Sequence, residues 1–526
     1  MRSLGGLSTD RSMVLGALAV FLLIAVGAIL LVPPNMDEVL PFHALACRIH
    51  PAAVLNTFRE PCDGTYVLHG PFGLAIMRSY AYVGGLSAVL YAPFHAVWPG
   101  ITTQYLVGLG WLVLFAALLA GSARRPLLAF CLALAFFPFV LQLVHDTGPI
   151  RVSAVAFAGS AVLVRRFAGR GVSLQIAGGA VAGLLFALAL EDKPFLVYLL
   201  IPAAFFAVAA LADDPAGSES GLRIALGSLA LRLRRAGPFA VAAAAVLAVG
   251  GALVLFARTA DGAFYLDHLA RTRVAFTLRD VRDAVLLYLT AWLSFAHRVY
   301  DLPSPSIVTA MKFSTVAFYA ACVAAAAVHV GRTILTLRLV LLLASIVSMI
   351  AVFLLTRNVW AGHHVVFVFI PAIVILSDLI AALPRRAATG LVAGFCLLNA
   401  ATAVIVFAKT PRVDSAWERD RILAVLNAEA GGTAIVNHSA WGIYYVHALY
   451  APRDALVVYT EPLVATDAAA ILELSKRTGR RTLYQTCRGP DCTASALDAV
   501  FGGAVRFEEV PLQTRDWRLF RAAVGS

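Results

Sequence analysis

"MVLGALAVFLLIAVGAILLVPPNMDEVLPFH", residues 13–43, carries an unbroken apolar run from Met13 to Val32 into two prolines and then into the adjacent carboxylates of Asp37 and Glu38. A membrane-spanning helix needs roughly 20 consecutive apolar residues, and this run supplies them. It is too long for the core of a signal peptide, and no small-residue cleavage site follows it. Arg2 and Arg11 precede it. The run is expected to be a retained helix with its N-terminus in the cytoplasm, so that Asp37 and Glu38 emerge on the far side of the bilayer.

The rest of the chain repeats the pattern. Of its 526 residues, 60% are hydrophobic and 14% charged, and the mean hydropathy is +0.83, far from the profile of a soluble globular chain. The expected fold class is an α-helical polytopic membrane protein with an extracytoplasmic α/β domain at its C-terminus. The formal charge of +12 does not point to nucleic acid. The arginines fall in short clusters between apolar runs rather than in a stripe interleaved with aromatics, which makes membrane lipid the simpler partner.

Runs long enough to span cover 13–32, 102–120, 127–144, 174–190, 194–212, 238–257, 307–330, 339–355, 364–383 and 389–408, and 149–164 is a shorter candidate. Together they give about eleven helices. With the N-terminus inside, Arg124 and Arg125, Arg165, Arg166 and Arg170, Arg223, Arg232, Arg234 and Arg235, Arg332 and Arg338, and Arg385 and Arg386 all fall in loops on one face. One wrongly added crossing would turn several of these clusters outward. The stretches 80–98 and 284–299 are therefore placed at the outer face as juxtamembrane or re-entrant helices, and "LRIALGSLALRLRR" within 213–237 reads as an amphipathic interfacial helix on the inner face.

The outer face then holds loop 33–101, the turns near 145–151, 191–193 and 356–363, the segment 258–306, and the tail from 409. The expected domains are a transmembrane catalytic domain, 1–408, and a soluble α/β domain, 409–526. In the tail, "TAIVNH", "ALVVYT", "RTLYQTC" and "AVRFEEV" read as short strands, with helical stretches such as "TDAAAILELSKR" between them. No P-loop or Rossmann glycine fingerprint occurs. Cys47 with Cys62, and Cys487 with Cys492, form an even pair in each of two outer segments, as disulfides in an oxidising compartment would. Neither pair has the spacing of a zinc knuckle.

Several outer-face residues could carry chemistry. Asp37 and Glu38 either start the helix of "EVLPFHALACRI", where acids suit the helix dipole, or form a functional pair, since ionisable groups at a lipid boundary are costly to keep. "HDTGPIR" places His145 and Asp146 in a polar turn that could equally be a solvated loop. In "LALEDKPF", Glu191, Asp192 and Lys193 end one span before Pro194 begins the next, and Lys193 offers either a snorkelling side chain or a cation for a phosphate. "TRNVWAGHHVVFVFIP" presents Arg357, His363 and His364. Adjacent histidines on a helix diverge by about 100°, so they make a poor joint metal site and a better match for an anionic head group. Arg258, Asp261, Asp267, His268, Arg271 and Arg273 are expected to be mostly solvated, and Lys312 to snorkel outward.

The order of these features resembles the GT-C superfamily of polytopic glycosyltransferases, in particular its protein O-mannosyltransferase and aminoarabinose transferase branches. The resemblance covers roughly residues 13–383. It implies a polyprenyl-phosphate-linked sugar donor, a glycan, lipid or protein acceptor at the outer face of a bacterial inner membrane, a catalytic carboxylate at Asp37 with Glu38 beside it, and a phosphate-binding set of His145, Asp146, Lys193, Arg357, His363 and His364. A divalent cation is a possible cofactor. Asp192 stands where the family more often has Thr or Leu, and Gly362, His363 and His364 replace its Arg/Lys-x-Tyr. A flippase or transporter of a lipid-linked glycan is the competing expectation.

Overall fold

The computed structural model describes residues 5–32, 38, 54–56, 60–61, 67–69, 75–80, 83–84, 86–98, 100–123, 125–146, 150–193, 200–211, 222–259, 277–282, 320, 324, 343–344, 347, 366–381, 383–409, 416–430, 434–439, 441–451, 455–514 and 517–525. The chain divides into two compact units, one built from Met1–Ala28 and Gly108–Pro411, the other from Ile29–Val107 and Arg412–Ser526. The second unit thus combines the loop after the first apolar helix with the C-terminal tail.

Long apolar runs with nothing to hydrogen-bond their backbone but themselves form helices. In chain order these are α1 (Gly5–Leu31), α2 (Leu86–Val97), α3 (Ile101–Ser122), α4 (Pro126–Ala135), α5 (Phe137–His145), α6 (Arg151–Phe167), α7 (Val172–Asp192), α8 (Leu200–Leu211), α9 (Leu222–Arg235), α10 (Gly237–Thr259), α11 (Val366–Ala381) and α12 (Arg385–Lys409). Among the described residues five helices are long and apolar enough to cross a membrane: Met13–Leu31, Ile101–Ser122, Val172–Asp192, Gly237–Val254 and Arg385–Ala408. A sixth span arises if the pair α4 and α5 counts as one. These match the expected runs 13–32, 102–120, 174–190, 238–257, 389–408 and 127–144. The expected total of about eleven is not reached among the described residues. The run 149–164 becomes α6, 364–383 becomes the shorter α11, and 307–330 and 339–355 lie almost wholly outside the described residues.

Two local features shape the first unit. The run expected as one span at 127–144 is bent by 69° at Phe136, whose backbone is extended at φ −85°, ψ 107°. Pro138, lacking an N–H and unable to continue the helix that precedes it, accounts for the break. The amide of Phe137 that the break leaves without a helical partner donates to Asn399 Oδ1 on α12 at 2.9 Å. The Phe136 ring packs edge-on against Phe139 and Phe369 and stacks on Phe395, with centroids 4.8, 5.2 and 5.9 Å away. The second feature is the close approach of α7 and α10. Gly179 and Gly183, one turn apart on α7, leave room for carbonyl oxygens of α10, those of Phe239 and Ala243, as small residues do between membrane helices.

The second unit is an α/β domain. Its strands are β1 (Val54–Asn56), β2 (Glu60–Pro61), β3 (Val67–His69), β4 (Ala75–Tyr80), β5 (Val83–Gly84), β6 (Ala434–His438), β7 (Leu456–Tyr459), β8 (Thr482–Arg488), β9 (Phe507–Val510) and β10 (Trp517–Ala523). Its further helices are α13 (Ala416–Glu429), α14 (Trp441–Tyr450), α15 (Ala465–Thr478) and α16 (Ala494–Val500). Seven strands pair in the order β2-β1-β7-β6-β8-β10-β9, and β3-β4-β5 form a separate sheet. β6 pairs in parallel with both β7 and β8, with α14 and α15 as crossovers. The antiparallel strands β10 and β9 close one side. At the other side β1, from the first loop, pairs in parallel with β7. The four expected tail strands are β6, β7, β8 and β9. The core gathers Ile435, Val458, Ile471, Leu483 and Phe520. α15 ends where Gly479 takes the left-handed conformation and its N–H meets the last carbonyls, a turn glycine adopts without strain.

The helix α2 has its polarity turned inside out. Ser87, Tyr91 and His95 are buried, while Val89, Leu90, Phe94, Val97 and the following Trp98 are exposed. A helix whose apolar stripe faces outward suits lipid rather than water, which accords with the expected position of 80–98 beside the membrane.

Candidate functional site

The polar inner face of α2 and the start of α3 form a buried polar cluster around a sequence-predicted residue, Glu38. The first N–H groups of α3 have no helical partners, and the carboxylate of Asp420 on α13 occupies them. Its Oδ1 accepts from Ile101 N at 2.6 Å, and its Oδ2 accepts from Thr102 N at 3.0 Å and Thr102 Oγ1 at 2.6 Å. Negative charge at a helix N-terminus is also favoured by the dipole. Gly100 sits against this carboxylate at φ 142°, where a Cβ would collide with it. Burial pushes the Asp420 carboxyl above its ordinary value, and the bonds from Thr102 and Ile101, with the charge of Arg419, oppose that rise.

Beside this cap, Tyr450 on α14 donates its hydroxyl hydrogen to His95 Nδ1, the rings stacking with centroids 5.7 Å apart. His95 Nε2 lies 3.5 Å from Gln104 Oε1. With Gln104 Oε1 as the acceptor, Nε2 carries a proton and Nδ1 is left to accept from Tyr450. Burial first, and the Asp420 charge in addition, push the Tyr450 phenol above its ordinary range against an opposing backbone bond from Gly100. Glu38 reaches into this group. Its side chain is 2% exposed, and it lines a narrow enclosed pocket with His95, Gly100, Ile101, Gln104, Val446 and Tyr450. The carboxylate therefore sits among two proton-carrying side chains and an amide, at the mouth of a helix long enough to span a membrane.

His145 and Asp146 have a different setting in the helical unit. Asp146 ends α5 in the left-handed conformation (φ 51°, ψ 42°), which Asp tolerates better than most residues. Its Oδ1 accepts from Ile150 N at 2.8 Å and Arg151 N at 3.1 Å, capping α6. Arg151, fully buried, donates from Nε to Leu143 O at 2.7 Å and from Nη2 to Val144 O at 2.6 Å, closing the carbonyl end of α5. Its guanidinium stands 3.9 Å from Asp146. His145 Nε2 donates to Ala28 O of α1 at 2.9 Å. The polar turn thus joins three helix ends, each charge lying at the end that its helix dipole favours. Gly108 on α3 makes room for the Arg151 side chain and the α5 carbonyls.

Lys193 caps α7, its N–H bonding Ala189 O at 2.8 Å. Lys193 and Asp192 are 3% and 0% exposed, so the lysine is held within the helical unit rather than extended to its surface. Asp37, Arg357, His363, His364, Cys47, Cys62 and Lys312 lie outside the described residues, as does 258–306 apart from 258–259 and 277–282. Cys487 and Cys492 form the expected disulfide. Among the described residues no group of three or more His, Cys, Asp or Glu is placed to hold a metal ion.

Sequence reasoning missed His95, Gln104 and Tyr450 as neighbours of Glu38, and Asp420 as the cap of α3. The one available signal was His95, a polar residue inside an apolar stretch; nothing in "WERDRILAVL" marks Asp420 as a cap for a helix more than 300 residues earlier. No protein-family model and no curated protein matches the chain.

Proposed function

We propose that the chain is a membrane glycosyltransferase that moves a sugar from a polyprenyl-phosphate donor to a glycan, lipid or protein acceptor at the outer face of a bacterial plasma membrane, in about eleven crossings. The observation that carries this reading is the burial of Glu38, half of the first-loop acid pair, among His95, Gln104 and Tyr450 at the start of α3. The order of motifs along the sequence supports it, and the Cys487–Cys492 disulfide supports an oxidising compartment for the tail.

In the proposed step the acceptor hydroxyl oxygen bonds to the anomeric carbon while the bond from that carbon to the lipid phosphate breaks. The acceptor proton passes to Asp37 as general base, and the electron pair leaves with polyprenyl phosphate. A single displacement of this kind inverts the anomeric centre. Lys193, Arg357 and His363 or His364 stabilise the phosphate as its charge grows. Glu38, held by its pocket, positions Asp37. His145 and Asp146 act on the donor site through the helix junction that they build.

Transport of a lipid-linked glycan is the second reading, and the full burial of Arg151 and Lys193 in an apolar helical unit favours it, since transporters keep ionisable groups inside their bundles. One experiment separates the two. Purified full-length protein is incubated with a panel of polyprenyl-phosphate sugars and free polyprenyl phosphate is measured. Release with one sugar, and its fall by roughly 100-fold or more in Asp37→Asn, is the expected result. No release from any donor would replace the enzyme with the transporter.

A further inference from the structure

The helical unit contains an amphipathic cavity unrelated to the acid pair. It has a volume of about 500 Å³, within the roughly 300–1,000 Å³ of ligand pockets. Its walls are apolar, with Val14 of α1, Leu128 and Cys131 of α4, and Val392 of α12 among them. Arg125 and Arg385 belong to the same lining. These two residues also mark two helix beginnings. Arg125 is the N-cap of α4 and makes no cap bond with its own side chain, and Arg385 is the first residue of α12. Two arginines and two positive helix ends therefore line the same apolar slot.

The geometry points to a binding site for an anionic glycerophospholipid of the cytoplasmic leaflet, its phosphodiester between Arg125 and Arg385 and one acyl chain along the wall formed by α1, α4 and α12. A free anion would use the guanidiniums but leave the slot empty, and a zwitterionic lipid would bring a second cation to a positive end. Arg125 and Arg385 belong to the arginine clusters that the positive-inside bias expects on the cytoplasmic side, where basic pockets between helices recognise anionic head groups. This site is independent of the proposed sugar transfer.

The test uses full-length protein delipidated in a neutral detergent, with bound lipid counted by native mass spectrometry after adding phosphatidylglycerol, phosphatidylcholine or glycerol phosphate. Phosphatidylglycerol is expected to bind in preference to both others. Arg125→Gln with Arg385→Gln should weaken it about 30-fold and leave phosphatidylcholine unchanged, taking about one surface charge interaction per arginine. Arg125→Gln alone, at an exposed position, should weaken it about fivefold and carries the test if the double variant fails to fold. Ala388→Phe, which fills the slot while keeping both charges, should also abolish lipid binding. Equal binding of the two lipids, wild-type affinity in Arg125→Gln, or glycerol phosphate binding as tightly as the lipid would overturn the site.

Discussion

Asp420 and Thr102, 318 positions apart, are joined by two hydrogen bonds, from Thr102 N and Thr102 Oγ1 to the same carboxylate oxygen. Asp420 is thus an N-cap supplied from a distant helix, and its loss has a size. Removing a cap costs about 0.5–2 kcal/mol, and leaving buried N–H groups without acceptors adds about 1–3 kcal/mol. Asp420→Ala is expected to fall near the upper end of that sum, and Asp420→Asn, which keeps one accepting oxygen, well below it. Thermal unfolding of the full-length protein measures both. Equal midpoints for Asp420→Ala and wild type would show that the cap contributes nothing.

Glu38 should behave as a residue that acts through its neighbours. Glu38→Gln keeps the shape of a side chain that is 2% exposed and removes its acid group. The expected outcome is a transfer rate roughly 10-fold below wild type, against 100-fold or more for Asp37→Asn, with the melting temperature unchanged. A Glu38→Gln protein as inactive as Asp37→Asn would exchange the two roles.

A pH dependence follows from two imidazoles in the tail. His438 Nε2 lies 2.8 Å from His447 Nδ1, and His438 Nδ1 lies 2.9 Å from Thr486 Oγ1. Burial holds both neutral, lowering His447 to about 3 and His438 well below its ordinary 6.5, with His447 adding to the shift of His438. The unfolded chain binds these protons near pH 6.5 and the folded chain does not. The stability they contribute is therefore present above pH 6.5 and lost as pH falls below it, by about 1.4 kcal/mol per pH unit for each imidazole. Melting followed from pH 7.5 to 5 should show this decline, and His447→Gln should reduce its slope by about half. A flat profile would mean that the pair is not neutral in the folded state.

The helix junction at Asp146 gives a contrast between partners. Arg151→Ala leaves Asp146 as a buried charge without its cation, and Asp146→Ala does the same to Arg151; either is expected to cost about 3–5 kcal/mol. Asp146→Asn can still accept from Ile150 N or Arg151 N and should cost clearly less. Fluorescence-detected melting in detergent orders the three variants. Asp146→Asn as damaging as Asp146→Ala would shift the weight from the cap to the charge.

What the sequence revealed of this fold follows from the range of each signal. The spans at 13–32, 174–190 and 389–408 are legible because burial of a helix in lipid is written residue by residue as an apolar run. The 69° bend inside 127–144 is not, because the run stays apolar through "AFFPF" and only Pro138 hints at it. The four tail strands are written locally as short runs rich in β-branched and aromatic residues, whereas β1, three residues long, is too short to carry such a signal and exists through pairing with β7. The same applies at the site. The acid pair was visible as charge beside an apolar helix, but His95 and Tyr450 meet across 355 positions, a distance over which one sequence carries no pattern.

The packing of α7 on α10 supplies the last prediction. A Cβ at Gly179 would meet the carbonyl oxygen of Phe239, and one at Gly183 that of Ala243. Backbone cannot yield as the end of a side chain can, so the helices must separate and lose contacts along their whole interface. Overpacking of this kind costs about 1–3 kcal/mol, and Gly183→Leu should exceed Gly183→Ala because its branch adds volume at the same point. Gly227 on α9 has nothing within 4 Å of a new Cβ, so Gly227→Ala should hold or raise stability by up to about 1 kcal/mol through helix propensity alone. Melting of the three variants in one detergent decides it: a Gly183→Leu midpoint at or above that of Gly227→Ala would mean that α7 and α10 do not approach so closely in the folded protein.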